Sequence, residues 1–96
     1  MSEFIGQAGT LESNDIMITV QKNDKGKGID ISLTSIVLPQ YGPMIREVLE
    51  NTAKKLGQTD LMITAADKGA LSCTIEARLC TALLRAKLIE EEAAYT

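Results

Sequence analysis

The first half of the chain alternates between apolar and polar residues. Ile16, Ile18 and Val20 alternate with Met17, Thr19 and Gln21, the period of two expected of a half-buried strand. Ile29, Ile31 and Leu33 alternate with Asp30, Ser32 and Thr34 in the same way. Between these runs lies Lys22-Asn23-Asp24-Lys25-Gly26-Lys27-Gly28, a polar, Gly-rich turn, so the pair reads as a β-hairpin. Upstream, Gln7 to Glu12 is a shorter strand, separated from the next by Ser13-Asn14. Two small or αL-tolerant residues suit a tight hairpin loop, and Asn accepts a positive φ at modest cost. Ser13 is therefore expected at the tip of the first hairpin, with its hydroxyl in solvent.

The period then lengthens. Ile45, Val48, Leu49, Thr52, Ala53 and Leu56 lie at helical spacing, with Arg46, Glu47, Glu50, Lys54 and Lys55 on the other face. Gly57 stands where a C-terminal cap belongs. Pro39 and Pro43 fall in or before the first turn, where a missing amide costs little, and Glu50 and Lys54 are spaced as an i, i+4 pair. Leu61, Ile63 and Ala65 against Met62, Thr64 and Ala66 is again a strand, followed by the turn Asp67-Lys68-Gly69. Leu71, Cys73, Ile75 and Ala77 then alternate with Ser72, Thr74, Glu76 and Arg78. Leu71, Ile75 and Leu79 also fall at i, i+4, i+8, so a helix from Leu71 to Leu84 fits as well. The unbroken alternation and the preceding turn favour a strand to about Arg78. A last helix then runs from about Leu79 to Glu91 with Leu79, Leu83 and Ala86 inward, and Glu90-Glu91-Glu92 forms a solvated end. The order is βββαββα. Short turns imply an antiparallel sheet of about five strands with two helices packed on one face, an α+β architecture, in a single domain over residues 1–96.

Composition narrows the chemistry. The 96 residues are 45% hydrophobic, with Phe4, Tyr41 and Tyr95 as the aromatics, so the core must be aliphatic. A net charge of −3 with no basic run gives no nucleic-acid footprint, and so few aromatics offer no stacking platform for single strands. No apolar stretch approaches the roughly 20 residues needed to span a bilayer, and no signal peptide is read at the start. Cys73 and Cys80 lack the spacing of a zinc site and are expected as buried structural thiols in a reducing cytoplasm. There is no His, hence no imidazole base for a Ser or Cys nucleophile. An independent enzyme is not expected. Lys25-Gly26-Lys27-Gly28 is a hairpin turn rather than a phosphate loop, which needs Gly-x-x-x-x-Gly-Lys-Ser/Thr feeding a helix.

Ser13 is the residue of interest. Turn serines commonly cap their own backbone. Glu12 and Asp15 make the tip acidic, which disfavours an alkoxide and argues against Ser13 as a nucleophile activated in place. An exposed tip is nevertheless where another enzyme could reach a hydroxyl.

The run Ala8-Gly9-Thr10-Leu11-Glu12-Ser13-Asn14-Asp15 resembles the signature of the citrate lyase acyl carrier family, the gamma chain. Asp67-Lys68-Gly69-Ala70-Leu71-Ser72-Cys73, followed by Ala77-Arg78-Leu79, resembles that family's second hairpin and the start of its last helix. With the matching length and the helix from Tyr41, the likeness covers nearly the whole chain. The sequence departs at Ser72, where an acid is expected, and at Asn14, where Gly or Ser is as usual.

The resemblance implies that Ser13 carries 2'-(5''-phosphoribosyl)-3'-dephospho-CoA through a phosphodiester. The arm's thiol would bear an acetyl group, which the lyase alpha subunit exchanges for citrate. The beta subunit, with a divalent metal, would cleave the citryl thioester to oxaloacetate and regenerate the acetyl carrier. The chain itself would be non-catalytic, with Glu12, Asn14 and Asp15 as candidates for recognition by the prosthetic-group transferase. It would not share the all-helical bundle of the fatty-acid acyl carriers. A long arm presenting a thioester to two sites in turn needs a rigid platform and an accessible anchor. The rival readings are the acyl carrier of malonate decarboxylase, which uses the same type of arm, an unmodified interaction module, and a small carboxylate enzyme.

Overall fold

The alternation of Ile16, Ile18 and Val20 produces strand β2 (Ile16–Lys22), whose three apolar side chains are fully buried while Met17 and Thr19 are half-buried. The computed structural model describes residues 4–35 and 40–90. Within them β2 is joined by β1 (Ile5–Ala8), β3 (Ile29–Ser35), α1 (Gly42–Lys55), β4 (Leu61–Asp67) and α2 (Ser72–Arg85). The sheet has four strands in the order β1-β2-β4-β3. β2 pairs antiparallel with β1 and with β4, and β3 pairs parallel with β4. The architecture is α+β as expected, but the sheet is mixed and four-stranded, not an antiparallel sheet of about five.

β2 and β3 depart from the expected pairing. They are not a hairpin, because β4 lies between them. The connecting loop instead wraps the entry to β4. The Asn23 amide donates to the Asp60 carbonyl, the Gly28 amide to the Asp60 carboxylate at 2.9 Å, and the Leu61 amide to the Gly28 carbonyl. The loop's polar backbone is satisfied by Asp60 together with a β-turn in which the Lys27 amide donates to the Asp24 carbonyl at 3.0 Å. Amides of Gly28 and, to a lesser degree, Gly26 hold the Asp60 pKa below its ordinary value.

Residues 72–78 are helical and not the strand expected. They form the first half of α2, which runs from Ser72 to Arg85 rather than from Leu79 to Glu91. Ile75, Leu79, Ala82, Leu83 and Ala86 are buried, at helical spacing, whereas Cys73 and Ala77 are exposed. A strand here would need a free edge of β4, and both edges are occupied by β2 and β3. Cys73 is consequently exposed and Cys80 only partly buried, not the pair of core thiols expected. Asp67-Lys68-Gly69 is a strand-to-helix turn. Residues 91–96, including Glu91 and Glu92, and residues 36–39, including Pro39, lie outside the described residues.

α1 follows its pattern closely. Ile45, Leu49 and Ala53 are buried, Pro43 lies in the first turn, and Gly57 takes a φ of +81° just past the end. Glu50 and Lys54 form an exposed ion pair at 3.1 Å. The two helices pack on each other and on the sheet, α1 over β3 and α2 over β1 and β2. α2 approaches β1 so closely at Gly6 that any Cβ there would collide with the Ala82 carbonyl. The aliphatic core lies between the layers, and each fully buried Ile or Leu contributes about 1.5–3 kcal/mol.

Candidate functional site

The register of the sheet fixes where Ser13 lies. Ile16 of β2 faces Asp67 of β4, which faces Ser35 of β3. The loop before Ile16, the turn after Asp67 and the start of α2 therefore gather at one end of the sheet.

β1 stops at Ala8 rather than reaching Glu12, so Ser13 sits in a seven-residue loop, Gly9–Asp15. Gly9 opens it with φ +96°, and a side chain there would run into the Ile16 carbonyl. The Thr10 hydroxyl accepts the Glu12 amide at 3.2 Å and donates to the Asp15 carboxylate at 2.7 Å. The Asp15 amide donates to the Glu12 carbonyl at 3.2 Å, closing a β-turn with Ser13 and Asn14 at its centre. Asn14 has φ +66°, as the third residue of a type II turn requires. Ser13 is exposed at this tip, with Leu11, Glu12 and Asn14 exposed around it.

Two backbone hydrogen bonds tie the tip to the neighbouring turn. The Asn14 amide donates to the Lys68 carbonyl at 2.8 Å, and the Lys68 amide to the Asp15 carbonyl at 2.9 Å. That turn is itself fixed by Asp67. The buried carboxylate accepts the Ser35 hydroxyl at 2.8 Å, the Gly69 amide at 3.1 Å and the Ala70 amide at 3.0 Å.

Asp15 does not form part of an acidic tip. Its side chain is 12% exposed and turned onto α2, where Arg78 meets it with both Nε and Nη2, at 3.0 and 3.1 Å. The Ile16 amide supplies a further bond at 2.8 Å. Hydrogen bonding from Arg78 chiefly, then from Thr10, lowers the Asp15 pKa from 3.8 to about 2. Burial opposes the shift, while the Ile16 amide and the Arg78 charge add to it. Asp15 thus reaches the surface through the loop it braces, whereas Glu12 and Asn14 are accessible directly.

Sequence reading missed Thr10, Lys68 and Arg78 as site residues. Arg78 stood within the second motif, but its partner lies 63 positions away, a separation that no local period reveals. Ser72 begins α2, which has no acidic residue in its first turn. An acid at position 72 would suit the helix dipole; here the Ser72 hydroxyl instead donates to the Met44 sulfur at 3.7 Å.

A family model described as the malonate decarboxylase delta subunit (MdcD), within the ACP family, matches residues 5–86. A citrate lyase acyl carrier protein of Streptococcus mutans is 51% identical over 83 residues, covering 86% of this chain and 80% of that one. One from Latilactobacillus sakei is 46% identical over 81 residues, covering 84% and 78%. The chain belongs to the citrate lyase acyl carrier protein family. A chain in the crystal structure of a Pseudomonas malonate decarboxylase hetero-tetramer in complex with malonate superposes with a TM-score of 0.70. The match covers 88% of this chain and 86% of that chain at 19% identity, which is a likeness of fold. Among the described residues no helix is long and apolar enough to cross a membrane.

Proposed function

We propose that this member of the citrate lyase acyl carrier family is a single cytoplasmic domain whose Ser13 holds 2'-(5''-phosphoribosyl)-3'-dephospho-CoA. The observation that carries the reading is the exposed Ser13 on a turn fixed from both sides. An anchor must offer its hydroxyl to a transferase, and must then keep the tether's origin in one place. Ser13 does the first by exposure. Asp15, Thr10, Lys68 and Arg78 do the second by holding the loop.

Attachment would be a nucleotidyl-type transfer that leaves Ser13 in a phosphodiester. The Ser13 Oγ forms a bond to the phosphorus of an activated arm donor, the donor's leaving group departs, and the hydroxyl proton passes to a base of the transferase. Held on Ser13, the arm would supply a terminal thiol able to carry acyl groups as thioesters to the lyase alpha and beta subunits. Glu12 and Asn14 present the recognition surface beside the hydroxyl. Asp15 contributes to recognition by shaping the turn. The carrier needs no acid–base pair of its own, since bond-breaking belongs to the partner subunits.

Reconstitution separates the citrate reading from the malonate one. Arm-bearing protein added to citrate lyase depleted of its own carrier is expected to restore citrate cleavage. Added to malonate decarboxylase lacking its carrier, it is expected to leave malonate untouched. Restoration of the decarboxylase alone would reverse the assignment.

A further inference from the structure

A cleft of about 340 Å³ opens beside the Ser13 turn, between the starts of α1 and α2. Its lining includes Tyr41, Met44 and Leu71, which are 46%, 39% and 70% exposed. Gly69 and Asp67 form the wall toward the carrier loop. These are large apolar side chains left in water at one end of the molecule, in a volume at the lower end of small-molecule sites.

The cleft and the anchor are contiguous. Asn14, the residue after Ser13, bonds through its amide to Lys68, the residue before Gly69. Its side-chain Oδ1 lies 3.6 Å from the position of a Cβ built on Gly69. The clefts at Leu56–Glu90, between Asp30 and Thr64 and beside Val48 and Glu76 share no residue with this loop or its neighbouring turn.

We propose that this cleft is a resting site for the thiol-bearing end of the arm attached at Ser13, resting on the carrier reading above. A CoA-type arm has methyl and methylene groups interrupted by amides, which suits an apolar cleft with polar edges. Tethering sets an effective concentration on the order of millimolar, so a site of merely millimolar affinity is half filled. A separate partner at the cleft would lack that advantage and would bear the full association cost. A weak site serves a carrier, because the arm must leave for two subunits in turn. Docked, the thioester is shielded from water and from stray thiols. Released, it is available to the complex.

The test compares arm-bearing and bare full-length chains by NMR, with labelled Met and Leu methyls and amide nitrogens, after intact mass has shown the arm on Ser13. Methyl signals of Met44 and Leu71 and amide signals of Gly69 and Ser72 are expected to shift when the arm is present. Leu71→Glu, which replaces an exposed side chain at the N-cap of α2, is expected to abolish the Met44 shift while the melting temperature stays within a few degrees of wild type. Met44→Gln is expected to weaken it. Shifts confined to residues 9–15 would overturn the proposal. So would cleft signals that move only when lyase subunits are added, which would assign the surface to a partner. A bare Ser13 in the mass measurement would instead remove the carrier reading, and this proposal with it.

Discussion

The bidentate contact between Arg78 and Asp15 joins the Ser13 loop to a helix far away in sequence. Arg78→Ala is expected to cost about 1–2 kcal/mol in chemical denaturation, less than a buried charge pair because the arginine is partly exposed. It should also slow modification of Ser13 more than it lowers stability, since the turn loses its brace. The pH dependence follows from the lowered carboxyl pKa. The folded-state value of about 2 lies below the ordinary 3.8, so the contribution is fully present above the ordinary value. It is lost as the pH falls through the interval between them. The stability gap between wild type and Arg78→Ala should therefore be constant near neutrality and close across that acid range. A gap that widened on acidification would contradict the assignment. Gly9→Ala should destabilise through both the positive φ and the collision with Ile16, by at least about 1–2 kcal/mol. The Ser13–Asn14 turn was legible in advance from the tolerance of Asn for positive φ. Arg78 was not, because its role arises only when α2 is laid against the loop, and Thr10 was not, because its hydroxyl meets Glu12 and Asp15 only in the longer loop that replaces the expected two-residue turn.

At the scale of elements, α1 and the buried faces of β2 and β4 could be read because one period fits each of them. Residues 71–78 satisfied two periods at once, and local pattern could not separate them. The decision is tertiary. β3 returns through α1 to pair parallel with β4, so β4 has an edge on neither side for a hairpin partner. Asp67 then receives the Gly69 and Ala70 amides and turns the chain into α2. The two readings of this segment differ in chemistry. As a strand residue beside Ile75, Cys73 would be inward and slow to react; as a helix residue it is exposed. Unmodified protein should show one thiol, Cys73, that reacts rapidly with a disulfide reagent in the native state, and Cys73→Ser should remove that fast phase. Asp67→Ala should cost about 2–3 kcal/mol in thermal or denaturant unfolding, because it strands two backbone amides and a hydroxyl.

At the scale of the molecule, the sheet is a platform and the Ser13 loop is fixed at one end of it. α2 holds the loop through Arg78 on Asp15 and the adjoining strand β1 through Arg85, whose Nη1 donates to the Gln7 carbonyl at 2.8 Å. The close seat of α2 on Gly6 of β1 completes the attachment. The family resemblance was visible in residues 8–15 and 67–79 even though the second of these was assigned the wrong secondary structure. Chemistry resides in residue identity, whereas architecture depends on pairing partners that local sequence does not name. The most direct test is the intact mass of the chain produced together with its own modifying enzymes. A mass increase of one phosphoribosyl-dephospho-CoA group, absent from Ser13→Ala, is the expected result. A wild-type chain that stays bare under those conditions, or an adduct that persists in Ser13→Ala, would contradict the role assigned to Ser13.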